Sequence, residues 1–202
     1  MFIDGETIEH AALRTLGGRS WASLQVAERR RLLGLLLQLV VAVQTLHARG
    51  IAHRGLNTSR VWVAEDDRVV LPDPEPARAP DDPSPPLATG TLGFMSPQQA
   101  ARGRPSFADD VFALGALVLL TLTGLDPRRL LGAGSGRTLN WRALAGRGAD
   151  TLVACAARCV SDDPTLRPSL EDIERAVACE FVALGSEAAL AGDLRRHPEP
   201  ES

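Results

Sequence analysis

The sequence predicts a mainly α domain carrying a small β-hairpin, and three observations support this. Two dense apolar stretches read as buried helices: one from Ser20 to about Arg49, with the body LLGLLLQLVVAVQTL, and one from Phe107 to about Gly124. Each is followed by a glycine placed to stop a helix, Gly50 and Gly124. Strand signals are confined to two short runs, Val61 to Val63 and Arg68 to Leu71, with Glu65-Asp66-Asp67 as the turn between them.

The remaining elements follow in order. Residues 8–17 are weakly helical and close at Gly17-Gly18, after an Asp4-Gly5 turn signal. Residues 51–60, IAHRGLNTSR, read as loop. The stretch PDPEPARAPDDPSPPLATG over 72–90 holds too much proline for helix or central strand and reads as an exposed loop. Residues 128–137 form a Gly-rich connection. Helical segments are predicted over about 138–146, 149–160 and 169–184, with Pro168 suited to a first helical turn. The polar end from Ser186 reads as a frayed tail.

The 202 residues suffice for one domain with a buried core, and 45% of them are hydrophobic. The net charge of −3 includes no single-sign field suited to nucleic acid or a membrane surface. The apolar runs over about 32–43 and 111–125 are shorter than the roughly 20 residues needed to span a bilayer. With no signal-peptide pattern at the N-terminus, a cytoplasmic location is expected. All 22 basic residues are Arg. Lys is absent, which matters wherever a compact cation must meet phosphate. Cys155, Cys159 and Cys179 read as reduced thiols, because the four histidines do not complete a zinc site.

Five strings in this order resemble the large, C-terminal lobe of the protein kinase fold. LHARGIAHRGL (Leu46 to Leu56) resembles the end of the long helix and the catalytic loop, usually His-Arg-Asp. VVLPDPE (Val69 to Glu75) resembles the approach to Asp-Phe-Gly, and GTLGFMSPQQ (Gly90 to Gln99) the Ala-Pro-Glu end of the activation segment. ADDVFALGALVLLTLTG and CVSDDPTLRPS resemble the central helix and the segment before the last helix. The resemblance implies a hinge-like segment over 1–7, a C-lobe-like domain over 8–183, a polar tail over 184–202, and no N-lobe within the chain.

The resemblance also sorts the site residues. Gly55 stands where the family carries its catalytic Asp, Asn57 where it carries a Lys, and Arg60 where it carries a metal-binding Asn; His53 and Arg54 are retained. A guanidinium cannot ligate Mg²⁺. Asp73 aligns with the metal-binding Asp of Asp-Phe-Gly, beside Pro74 and Glu75, and is read first as a surface or structural carboxylate; a residual metal position, or a pair with Arg60 in place of the metal, are the alternatives. Asp110 matches the Asp that holds the catalytic-loop backbone, and Arg167 matches the Arg that pairs with the Glu of Ala-Pro-Glu, here Gln98. GAGSG over 132–136 lacks a following Lys and is a weak phosphate loop.

From this pattern the sequence is read as a degenerate, pseudokinase-type lobe. It is expected to be no enzyme, to use no cofactor or metal, and to act as an adaptor or regulatory subunit. Its partner would be another protein chain (N-lobe-like, an enzyme, or a second copy) covering the hinge and catalytic-loop face. The other reading is the large-lobe subunit of a split phosphotransferase, in a setting such as ribosomal-peptide modification, with the N-lobe supplied by another chain.

Overall fold

The computed structural model describes residues 4–72, 90–131 and 149–196. Strand β1 (Gly5–Thr7) leads directly into helix α1 (Ile8–Leu16). The Thr7 hydroxyl caps α1 by accepting from the His10 amide, and the Ile8 amide donates to Val61 O at 2.9 Å, fixing the helix start against the next strand. A 3₁₀ turn, Trp21–Ser23, buries Trp21 ahead of α2 (Val26–Ala48). The long helix therefore begins about six residues later than the sequence suggested. Gln25 and Glu28 form a reciprocal capping box there, so the local chemistry sets the boundary at Val26.

Strands β2 (Trp62–Ala64) and β3 (Val69–Val70) form the expected hairpin, but the sheet has three strands in the order β1-β2-β3, all antiparallel. Gly5 pairs with Ala64 and Thr7 with Trp62. A Cβ on Gly5 would lie 2.2 Å from Val63 O, so only glycine allows this approach. A three-residue strand paired far along the chain leaves no readable periodicity, which is why the sequence showed only a hairpin.

Helix α3 (Pro97–Ala100) is capped by Ser96, and α4 (Phe107–Thr123) by Ser106 with Asp109 in a second capping box. Every residue of α4 from Asp109 to Thr123 is buried, and Gly124 closes it in the left-handed conformation. Helix α5 (Pro127–Leu131) occupies the start of the segment read as a connection; Pro127 begins it, and Leu130 and Leu131 bury their side chains in the core. The Pro-rich stretch from 73 to 89, the GAGSG string and the helix expected over 138–146 lie outside the described residues.

Helices α6 (Asp150–Cys159) and α7 (Leu170–Arg196) complete the domain. α2 packs along α7, α4 along α6, and α1 against α4, so α4 is the axis of the core. α7 runs ten residues beyond Ser186, where a frayed tail was expected. The Ala-, Leu- and Arg-rich continuation extends a helix that packing has already nucleated. α2 is long and apolar enough by length and composition to cross a membrane, although its apolar run alone was read as too short. Its residues Leu32, Leu36, Leu39 and Val43 are spent on the core beside α4 and α7.

Candidate functional site

The loop after α2 is bound to α4 through one carboxylate. Asp110, fully buried in the first turn of α4, accepts from the His53 amide at 2.7 Å and the Arg54 amide at 2.6 Å. Its Oδ2 also lies 2.8 Å from His47 Nε2, and the His47 ring stacks on Phe107 with centroids 4.2 Å apart. Arg54 holds φ at 54°, a left-handed conformation unusual for a side-chain-bearing residue. Two short hydrogen bonds to a buried carboxylate hold the backbone in that state.

The loop side chains mostly turn inward. His53 Nδ1 accepts from the Gly55 amide at 3.1 Å, which requires the neutral ring with its proton on Nε2. Burial lowers the His53 pKa, opposed by the Asp110 charge, and so favours the neutral ring. Arg54 donates through Nε to Asp109 Oδ2 at 3.2 Å. Asp109 also accepts from Ser96 Oγ at 2.5 Å, and Gln99 Nε2 donates to Arg54 O at 2.6 Å. The 96–99 segment is thereby tied to the loop. Burial raises the Asp109 pKa, with Ser96 and Arg54 acting in opposition.

Asn57 Oδ1 accepts from Ser59 N, Ser59 Oγ and Arg60 N, and its Nδ2 donates to Gly55 O. The amide is thus committed to shaping its own turn. Gly55 has ordinary space around it: an added Cβ would find His53 ring atoms at 3.5 Å and Arg60 Cδ at 3.7 Å. The stem of Arg60 therefore lies across Gly55. Asp73 lies outside the described residues, as does any pairing with Arg60.

A second cluster braces the far end. Arg167 donates to Ser161 O at 3.0 Å, Ala108 O at 2.8 Å and Gln98 Oε1 at 2.6 Å, while Gln98 Nε2 donates to Asp162 O at 2.6 Å. Burial lowers the Arg167 pKa, and the nearby Asp109 charge counters it. Asp109, Ser96 and His47 were not singled out from sequence. The Ser106-x-x-Asp109 capping signature was the one legible trace of Asp109, and it does not reveal the reach to Arg54.

No protein-family model matches the chain. Among curated proteins, it is similar to the serine/threonine-protein kinase PknD of Mycobacterium tuberculosis, 28% identical over 131 residues, covering 63% of this chain and 19% of that protein. Serine/threonine-protein kinase C of Synechocystis is 30% identical over 149 residues, covering 66% of this chain and 26% of the relative. PknA of Nostoc is 27% identical over 157 residues, covering 71% and 28% respectively. The matched region thus spans about a fifth to a quarter of each of these relatives. Together with the helical architecture, the similarities support a kinase-like fold of the large-lobe type.

The relatives also correct an expectation. The replacements at Gly55, Asn57 and Arg60 suggest no enzyme at all, yet the proteins that the chain resembles over part of their length are serine/threonine kinases, which overturns that expectation. The inference from missing side chains was too strong because phosphoryl transfer draws most of its rate from positioning and charge neutralisation.

Kinases imply Mg²⁺ and a nucleotide, and the described loop does not fit the metal. Gly55 offers no ligand, the Asn57 amide oxygen is occupied by three donors, and Arg60 is a cation. No group of three His, Cys, Asp or Glu side chains suited to a metal occurs among the described residues.

Proposed function

We propose that this chain serves as the large lobe of a serine/threonine-kinase-type phosphotransferase. It would act with a small β-rich lobe that brings a Gly-rich loop and a Lys, on another chain or elsewhere on the same one. The observation that carries the reading is the Asp110 clamp on His53 and Arg54, which holds the loop in its left-handed turn although three of its side chains have changed. The brace between Arg167 and Gln98 supports it by fixing the segment that precedes α4. The loop supplies shape and charge, and Gly55 supplies no base, so transfer would rest on positioning.

The test is to combine the chain with such a small lobe and ATP labelled in the γ-phosphate, and to follow label into protein Ser and Thr. Incorporation that requires both lobes, and is lost with Asp110→Asn, is the expected result. Two lobes that co-elute yet transfer no label above the small lobe alone would end the proposal.

A second role, as a docking or regulatory surface for another protein, is favoured by the inward commitment of Asn57 and the bare Cα of Gly55. It predicts a complex whose affinity depends on the loop face. Charge-reversal and Leu-to-Asp changes there, such as Leu92→Asp on the exposed Leu92, should weaken the complex; unchanged affinity would refute it.

A further inference from the structure

Helix α6 carries two thiols that neither the clamp nor the brace uses. Cys155 and Cys159 are both free and stand one turn apart on the same side of the helix. Cys155 is half-buried, within reach of a small oxidant, while Cys159 is fully buried. The Cys159 Cβ fills the notch left by Gly115 of α4, 2.3 Å from where a Cβ on that glycine would stand. A hydrogen bond between the thiols lowers the Cys155 pKa and raises that of Cys159; burial opposes the first shift and adds to the second. The Arg158 charge assists the Cys155 thiolate and Asp172 opposes it. The pair thus divides into an accessible, more nucleophilic thiol and a buried thiol beside it. Cys159 is also the last residue of α6, and the chain just beyond it anchors the brace. Ser161 O accepts from Arg167 at 3.0 Å and Asp162 O from Gln98 Nε2 at 2.6 Å, while Gln99, next to Gln98, donates to Arg54 O.

We infer that Cys155 and Cys159 form an oxidative modification site, at which a hydroperoxide converts the two thiols to a disulfide and so loosens the brace behind the loop. The Cys155 thiolate attacks the peroxide, the O–O bond breaks, an alcohol or water leaves, and Cys155 becomes a sulfenic acid. The Cys159 sulfur then attacks the Cys155 sulfur, its proton leaves with the hydroxyl as water, and the S–S bond closes. Two thiols give up two electrons, and the peroxide takes them. Successive turns of a helix hold Cβ atoms about 5–6 Å apart, whereas a disulfide needs about 3.5–4.5 Å, so closure draws Cys159 roughly 1–2 Å out of its seat on Gly115. The end of the helix is where such a movement is accommodated: the Val160 amide meets Ala156 O at a long 3.3 Å. A disulfide closed against the helix geometry is readily reduced again, which suits a reversible modification. This inference goes beyond the phosphotransferase reading and does not depend on it.

The experiment treats the full chain, carrying Cys179→Ser to remove the exposed third thiol, with equimolar hydrogen peroxide and isolates the monomer. Trypsin cuts after Arg158, so Cys155 and Cys159 leave on separate peptides that only their own disulfide joins. A joined pair that dithiothreitol separates is the expected product. Cys155→Ser should slow thiol loss at Cys159 by about tenfold or more, and Cys159→Ala should leave Cys155 as a sulfenic acid that dimedone traps. Oxidation should lower the melting temperature, and dithiothreitol should restore it. With Gln98→Ala the drop should be smaller, because the brace is already cut at one end. The inference is overturned if Cys155 stays reduced, or if its oxidation stops at the sulfenic or sulfinic acid with the Cys159 thiol intact. It is equally overturned if the disulfide forms without changing the melting temperature, or if the drop is the same with and without Gln98→Ala.

Discussion

Gly115 sits where α4 crosses α6, and replacing it with Ala tests whether that crossing sets the core. A Cβ built there would lie 2.3 Å from Cys159 Cβ, 2.9 Å from Ala156 O and 3.2 Å from Val160 Cγ1. The two closest atoms belong to the facing backbone or its first side-chain carbon, so no rotamer change relieves the clash and the helices must separate. Overpacking of this kind costs about 1–3 kcal/mol. Helix propensity works the other way, since Ala gains about 0.5–1 kcal/mol over Gly. The two terms together span a loss of about 0–2.5 kcal/mol, and approaches of 2.3 and 2.9 Å to atoms that cannot rotate away put Gly115→Ala in the upper half of that range. For a chain of this size that lowers Tm by about 2–4 °C per kcal/mol. Gly34 in α2 supplies the control, because nothing lies within 4 Å of its Cβ position. Gly34→Ala should therefore show the propensity gain alone. Urea melts of the two variants should move in opposite directions. A Gly115→Ala protein as stable as its parent would refute the close α4–α6 crossing.

Three further outcomes follow from the clamp and the brace. Asp110→Ala leaves the His53 and Arg54 amides without their buried acceptor, and denaturant melts should show a loss above about 2 kcal/mol. Gln98→Glu should stay within about 1 kcal/mol of the parent, because the charge-assisted bond to Arg167 is offset by a carboxylate oxygen facing Asp162 O; Gln98→Ala, which loses both partners, should cost more. His53 has a folded pKa below its ordinary 6.5, so the unfolded chain binds more protons and stability falls as pH drops from 6.5 to the depressed value. Melting curves between about pH 7.5 and about pH 5.5 should show this decline, and His53→Asn should flatten it.

The mainly α class, the two buried helices and their glycine stops were legible in the sequence, because apolar patterning and caps act over one or two helical turns. The motif positions were legible for the same reason: Arg54, Asp110 and Arg167 sit in local strings with fixed spacing. The three-stranded sheet was not, since β1 contributes three residues and meets β2 more than fifty positions later. The activity expectation failed for a different reason. It counted the side chains replaced at Gly55, Asn57 and Arg60 and gave too little weight to the backbone hold that the resemblance already implied for Asp110, which bonds the His53 and Arg54 amides.

By itself, the sequence determined the helical framework, the charge at position 60 and the absence of a side chain at position 55. Only the tertiary structure decided that Arg54 turns to Asp109, that Asn57 spends its amide on its own turn, and that the Arg60 stem lies over Gly55. The reason is physical. A residue's identity fixes what bonds it can make, but a buried donor or acceptor takes the partner that folding brings within about 3 Å, and that partner is set by packing between distant segments.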